Sequence, residues 1–215
     1  MTGFFMSFEG IEGSGKSTQA ALLAQALRSQ GRDVVVTREP GGTAVGQELR
    51  RLLLDSSSAP LAPGAELYLM LADRAQHVQE VIAPALRANK IVISDRFVDS
   101  TTAYQGYGRG VELSLLAQFN AFTCGGYMPA LTLVLDLPVS EGLRRVGQRQ
   151  GGAAGTDRFE AESVAFHERV RAGYLAVAHS DPRRVCLLDA LRPVEAIQQE
   201  ILALVQERLL VVDKA

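Results

Sequence analysis

The chain has 215 residues, 47% apolar and 21% charged, with 22 basic residues against 24 acidic ones and a formal net charge of -2. That balance, with an isoelectric point near 6.0, excludes a domain whose main task is coating nucleic acid, and no apolar run is long enough to span a bilayer. Cys124 and Cys186 are too few and too far apart to frame a disulfide scaffold, and His77, His167 and His179 lack metal-ligand spacing.

In chain order the pattern predicts a strand over Phe4–Phe8, a helix over Ser17–Gln30, a strand over Val34–Thr37 and helices over Val45–Leu54 and Ala65–Arg87. A strand over Ile91–Ser94, a helix over Leu113–Thr123 and a strand over Leu131–Leu137 follow. Helices over Ser140–Gln150 and Ala161–Ser180, a strand over Val185–Leu188 and a helix over Val194–Val211 complete the chain. Pro84 falls inside the third helical pattern and is expected to bend or end it. Five short strands alternating with helices predict an α/β fold, a parallel sheet with helices on both faces. Ser56–Gly64 and Gly151–Thr156 read as flexible stretches, but α/β units continue on both sides, so residues 1–215 are expected to form a single domain. The first residues lack the basic and apolar regions of a signal peptide, and the expected address is the cytosol.

Gly10-Ile11-Glu12-Gly13-Ser14-Gly15-Lys16-Ser17 matches G-x-x-x-x-G-K-[ST] without departure, directly after a strand and directly before the helix that takes in Thr18. In that context the glycines let backbone N–H groups wrap phosphate oxygens and the helix N-terminus favours negative charge. Lys16 reaches the β and γ phosphates, and the Ser17 hydroxyl can ligate Mg²⁺. No Asn-Lys-x-Asp segment follows, as guanine recognition would require, and Ile91-Val-Ile-Ser-Asp95 is followed by Arg96 instead of the acidic partner of a DNA-processing ATPase. Asp95 ends a β-run at the carboxyl edge of the sheet, where it can organise Mg²⁺ or its waters, and Arg96 can fork onto a second phosphate. Taken alone, the two also read as an ordinary surface ion pair. Arg144, Arg145 and Arg149 at helical spacing, then the Gly/Ala stretch and Arg158, outline a lid over about 144–160, although Arg144 and Arg145 equally suit a solvated helix face.

The P-loop, Thr37–Gly42 (TREPGG), Ala72–His77 (ADRAQH), Asp95–Phe97 (DRF), Asp99–Gly106 (DSTTAYQG) and Asp157–Glu160 (DRFE), in this order over essentially the whole chain, resemble the bacterial thymidylate kinases, a family of P-loop nucleoside monophosphate kinases. The resemblance implies a P-loop NTPase fold, MgATP as co-substrate, dTMP as acceptor, dTDP and ADP as products, and a homodimer paired through helices. It implies that Arg38 and Arg96 hold the dTMP phosphate, that Arg74, Ser100 and Thr101 face the thymine edge, and that Tyr104 and Gln105 line sugar and base. Glu12 would approach the sugar hydroxyl or the acceptor side, and Arg149 would be the lid arginine that approaches the ATP phosphates. Adenine would sit between the lid and the loop Asp189–Pro193, where Arg192 either stacks on the ring or stays exposed. One position departs from the family pattern: Met70 stands where an aromatic ring commonly stacks on thymine, and its polarizable side chain can lie on an aromatic face.

Overall fold

The computed structural model describes residues 3–55, 61–149 and 157–212. In chain order the elements are β1 (Phe4–Glu9), α1 (Lys16–Ser29), β2 (Val34–Arg38), α2 (Ala44–Leu54), α3 (Pro63–His77) and a π-helical turn over Val78–Ile82. Then come α4 (Ala83–Arg87), β3 (Ile91–Asp95), α5 (Val98–Thr101), a second π-helical turn over Thr102–Gly108 and α6 (Leu113–Cys124). The remainder is β4 (Leu131–Asp136), α7 (Val139–Arg149), α8 (Val164–Ser180), β5 (Val185–Asp189) and α9 (Val194–Val212).

The five strands form one parallel sheet in the order β2-β3-β1-β4-β5. Its faces pack on different cores because successive side chains of a strand point opposite ways. Phe4, Met6 and Phe8 meet Leu23 and Leu27 of α1 and Ile197 and Ile201 of α9, whereas Phe5 and Val92 meet Val78, Ile82 and Ala85. The three inner strands are therefore almost wholly buried, while the edge strands β2 and β5 alternate.

Several boundaries differ from the pattern for identifiable reasons. β1, β2, β3 and β5 each run one residue further, adding Glu9, Arg38, Asp95 and Asp189, charged residues that hydrophobic alternation cannot register. Pro84 does not stop the helix. A proline cannot donate to the carbonyl four residues back, and the π-helical turn just ahead of it widens the spiral so that α4 continues. Of the stretch Ser56–Gly64, Pro63 and Gly64 open α3, where a missing N–H leaves no extra gap, and 56–60 lie outside the described residues. α8 begins at Val164, later than the pattern suggests, because the Ser163 side chain caps it by accepting the Phe166 N–H. α5 and the second π-helical turn have no counterpart in the sequence pattern, where Ser, Thr and Gly dilute the periodicity. Of the lid expected over about 144–160, residues 144–149 end α7 and 157–160 are described, while 150–156 lie outside the described residues.

Candidate active site

Register alone assembles the centre of the site. Arg38 pairs with Asp95 across β2 and β3, and Asp95 pairs with Phe8 across β3 and β1, so three successive strands deliver Arg38, Asp95-Arg96 and Glu9-Gly10 to one edge. The P-loop leaves that edge and turns into α1. Its backbone is pressed against the start of α7: Gly13 has φ +75°, and a Cβ there would lie 2.3 Å from the Gly142 carbonyl oxygen. Lys16 Nζ donates to the carbonyls of Gly10 (3.0 Å) and Ile11 (2.8 Å). Burial, then the neighbouring Arg96, pushes its pKa down to about 8. Ser17 Oγ donates to Asp95 Oδ2 at 2.5 Å, which places a hydroxyl and a carboxylate side by side.

Arg96 has φ +74°, rare for a residue with a side chain. Its backbone N–H donates to the Phe8 carbonyl, and its guanidinium donates to Gly10 O (2.9 Å), Tyr174 Oη (2.9 Å), Glu12 Oε1 (2.8 Å) and Tyr104 Oη (3.1 Å). Behind it lies Glu9, fully buried, whose carboxylate accepts from the Phe97 N–H (2.7 Å), Ser100 Oγ (2.6 Å) and Tyr174 Oη (3.2 Å). Burial, then Asp99, raises its pKa to about 8. Glu9 fastens the turn that carries Arg96, and the hydroxyls of Ser100 and Tyr174 link both groups.

Two cavities meet at Lys16 and Ser17, which line both. The first, about 230 Å³, is lined by Glu12, Arg38, Met70, Arg74, Asp95, Arg96, Ser100, Thr101, Tyr104 and Gln105, so every expected acceptor-side residue faces one space. Arg50, Asp157, Phe159 and Glu160 join them there. Arg74 is buried, with Nε and Nη2 on Glu39 Oε2 (3.0 and 2.9 Å) and Nη1 on Asn120 Oδ1 (2.8 Å). Glu39 also takes His77 Nδ1 at 2.8 Å, and Thr37 holds the far ring nitrogen at 2.6 Å, so both ring nitrogens of His77 are committed to protein partners.

The second cavity, about 410 Å³, runs from Gly13–Gln19 to Arg145, Ala190 and Arg192. Arg192 lines it, but its guanidinium is paired with Glu200 of α9. Arg145 is not simply solvated, because it donates to the Ala190 carbonyl at 3.1 Å as well as to Glu141. Arg144 is exposed and forks onto Glu141, the solvated reading. Arg149 closes α7, and its side chain lies outside what is described. Arg158 is committed away from the P-loop, to Glu66 (3.0 Å) and the Leu53 carbonyl (2.9 Å).

A family model described as thymidylate kinase matches residues 8–201. A thymidylate kinase of Desulfovibrio desulfuricans is 54% identical over 196 residues, 90% of this chain and 90% of that protein. One from Geotalea uraniireducens is 49% identical over 209 residues, 96% of this chain and 98% of the other. The chain belongs to the thymidylate kinase family. The crystal structure of thymidylate kinase from Ehrlichia chaffeensis matches with a TM-score of 0.77 at 33% identity, over 95% of this chain and 99% of that one. The sheet and loop described above are thus the P-loop NTPase fold of a thymidylate kinase.

Sequence reasoning about this thymidylate kinase missed Glu9, Glu39, Arg50, Glu66, Asn120 and Tyr174. Glu9 carried a usable signal, an acidic residue closing an otherwise apolar strand one position before the P-loop. Tyr174, Asn120 and Arg50 carried none, because each sits at an unremarkable helix position and reaches the site only through tertiary packing. Among the described residues no helix is long and apolar enough to cross a membrane.

Proposed function

We propose that the chain transfers the γ-phosphoryl group of ATP to the 5′-phosphate of dTMP, giving ADP and dTDP. The observation that carries this reading is the junction of the two cavities at Lys16 and Ser17, which brings a phosphate donor and a phosphate acceptor to one pair of side chains. ATP occupies the second cavity, with its phosphates on the backbone of Gly10–Thr18 and on Lys16 and its base toward Arg192. dTMP occupies the first. Arg38 and Arg96 hold its phosphate, with Arg50 adding charge from α2, Arg74 and Thr101 face the base, Met70 lies against the ring, and Tyr104 and Gln105 line sugar and base. Ser100 acts through Arg96 and Glu9 as much as through the substrate, since its hydroxyl is bonded to both.

No general base is required, because a phosphate monoester has its second pKa near 6 and is mostly dianionic at neutral pH. The protein's task is to align two anions and offset their repulsion. Lys16 and Arg149 supply charge to the transferring group. Ser17 and Asp95 suit Mg²⁺, a hard cation that takes few protein oxygens and keeps phosphate and water ligands; when bound it neutralises developing phosphate charge. The lid over about 144–160 excludes water, the competing acceptor.

The same reading includes a single domain over 1–215, a cytosolic address and a homodimer. Leu115, Phe119 and Phe122 form a stripe on α6, Tyr68 of α3 rests on Phe119, and Phe122 is 85% exposed, an unusual placement for a phenylalanine. Phe122→Lys is expected to shift the sedimentation of the enzyme from dimer to monomer.

The deciding experiment is ADP release with a panel of acceptors. Fast turnover with dTMP, slower turnover with dUMP and little hydrolysis without acceptor are expected. Equal rates with UMP or CMP would overturn the assignment, and rapid acceptor-free hydrolysis would make the protein an ATPase.

A further inference from the structure

Glu66 is an acidic side chain on α3 that is only 1% exposed. Its two oxygens gather donors from three separate parts of the chain. Gln105 Nε2 approaches at 2.8 Å, Arg109 Nη2 at 3.0 Å and Arg158 Nη1 at 3.0 Å. Arg109 is held further by Glu162 at 2.6 Å, and Arg158 Nε by the Leu53 carbonyl at 2.9 Å. The carboxylate therefore has a fixed position set by the protein's own groups.

That position decides which way Gln105 points. A carboxylate accepts hydrogen bonds and cannot donate, so the amide nitrogen is the end that meets Glu66. The carbonyl oxygen is left for the acceptor cavity, which Gln105 lines, and among the described residues no group donates to it. Arg74 lines the same cavity with N–H groups that Glu39 and Asn120 do not use. The base site thus offers an acceptor and a donor, each held from behind by a buried partner.

We propose that Glu66 is a positioning residue for base selection: by holding the Gln105 amide nitrogen it presents the carbonyl oxygen to the N3–H of a thymine or uracil ring and against cytosine, whose N3 is itself an acceptor. The proposal deepens the function above and rests on dTMP being the acceptor. A site built to hydrogen-bond one group rejects an analogue lacking it because a buried polar atom is then left unpaired.

Steady-state kinetics with dTMP and dCMP on the wild type, Glu66→Gln, Gln105→Met and the double variant test it. In Glu66→Gln the new amide can donate as well as accept, so Gln105 is no longer held one way. The KM for dTMP should rise about tenfold with kcat within about threefold, and the dTMP-over-dCMP ratio in kcat/KM should fall about tenfold. In the Gln105→Met background, Glu66→Gln should leave that ratio where the methionine alone puts it. An unchanged ratio in Glu66→Gln, or two effects that simply multiply, overturns the proposal; a merely structural carboxylate would depress all acceptors together. If the single variant folds poorly, Glu66→Gln with Arg158→Gln, which removes the guanidinium left without a counter-charge, carries the same measurement. A wild type that fails with dTMP overturns the functional reading and the proposal together, whereas a working wild type with an unaltered ratio in the variant overturns the proposal alone.

Discussion

The guanidinium of Arg96 lies 2.8 Å from the carboxylate of Glu12, so the turn after β3 and the P-loop carry a matched pair of charges where the first cavity meets Lys16. Burial pushes the Glu12 carboxyl up, and Arg96 and Lys16 more than reverse it, holding it below the usual carboxylate range. Arg96 pays for this placement with a left-handed backbone, which costs a residue with a side chain about 1–2 kcal/mol. Its many hydrogen bonds offset that strain.

Arg96→Lys keeps the charge and loses the fork. A lysine cannot reach Gly10, Tyr174, Glu12 and Tyr104 at once. The kcat/KM for dTMP is expected to fall about 100-fold, mostly through KM, with a lower melting temperature, since Glu12 and Glu9 lose their common neighbour. Kinetics and thermal denaturation check both halves, and an unchanged KM would remove Arg96 from phosphate recognition.

Lys16→Ala and Arg149→Ala should each lower kcat by about two or more orders of magnitude, because both are assigned to charge on the transferring group. Single-turnover measurements separate this from weakened binding. Near-normal turnover in Arg149→Ala would move the lid role elsewhere, and Arg158 is a poor substitute because Glu66 and Leu53 already hold it.

Gly142→Ala tests the seat of α7. An added Cβ would lie 2.6 Å from the Glu12 carbonyl oxygen, so the loop or the helix must shift. Misplacement by about 1 Å can cost about 100-fold in rate. A fall in kcat of at least about tenfold is expected, with the KM for dTMP nearly unchanged; wild-type kcat would show that the contact has slack.

At Met70 the expected effects are small in one direction and large in the other. Met70→Phe should lower the KM for dTMP about two- to fivefold, since sulfur and ring contacts have similar worth. Met70→Ala should raise it about tenfold by removing the packed surface altogether. Equal KM values across the three proteins would show that Met70 does not touch the base.

Asp73 is buried and accepts the Gly41 N–H at 2.9 Å. Burial, then Glu39, raises its pKa from 3.8 to about 6. Between those values the folded protein holds a proton that the unfolded chain releases, so the contribution of this group to stability is full below about pH 4 and is lost as pH rises through 6. Asp73→Asn cannot titrate. The unfolding free energy of wild type relative to this variant should fall by on the order of 1–2 kcal/mol from pH 4 to pH 6.5 in denaturant titrations, and a flat difference would refute the assignment.

The fold was legible because buried parallel strands are continuous apolar runs and α1 buries Ala20, Leu23, Ala24 and Leu27 at helical spacing. The P-loop and the residues that line the first cavity were legible as a group because their chemistry is written in contiguous segments. What supports them was not. Glu39 and Asn120 reach Arg74 from positions 35 and 46 residues away, and Tyr174 reaches Arg96 across 78. A polar residue in a helix looks the same whether it faces water or a buried guanidinium, so only packing distinguishes them.

The close approach of Gly13 and Gly142 also bears on how this enzyme can be changed. Neither position accepts a side chain unless the other backbone gives way, so the P-loop and the root of α7 form one exchangeable module. A chimera that takes α7 from a relative has to take the matching loop with it.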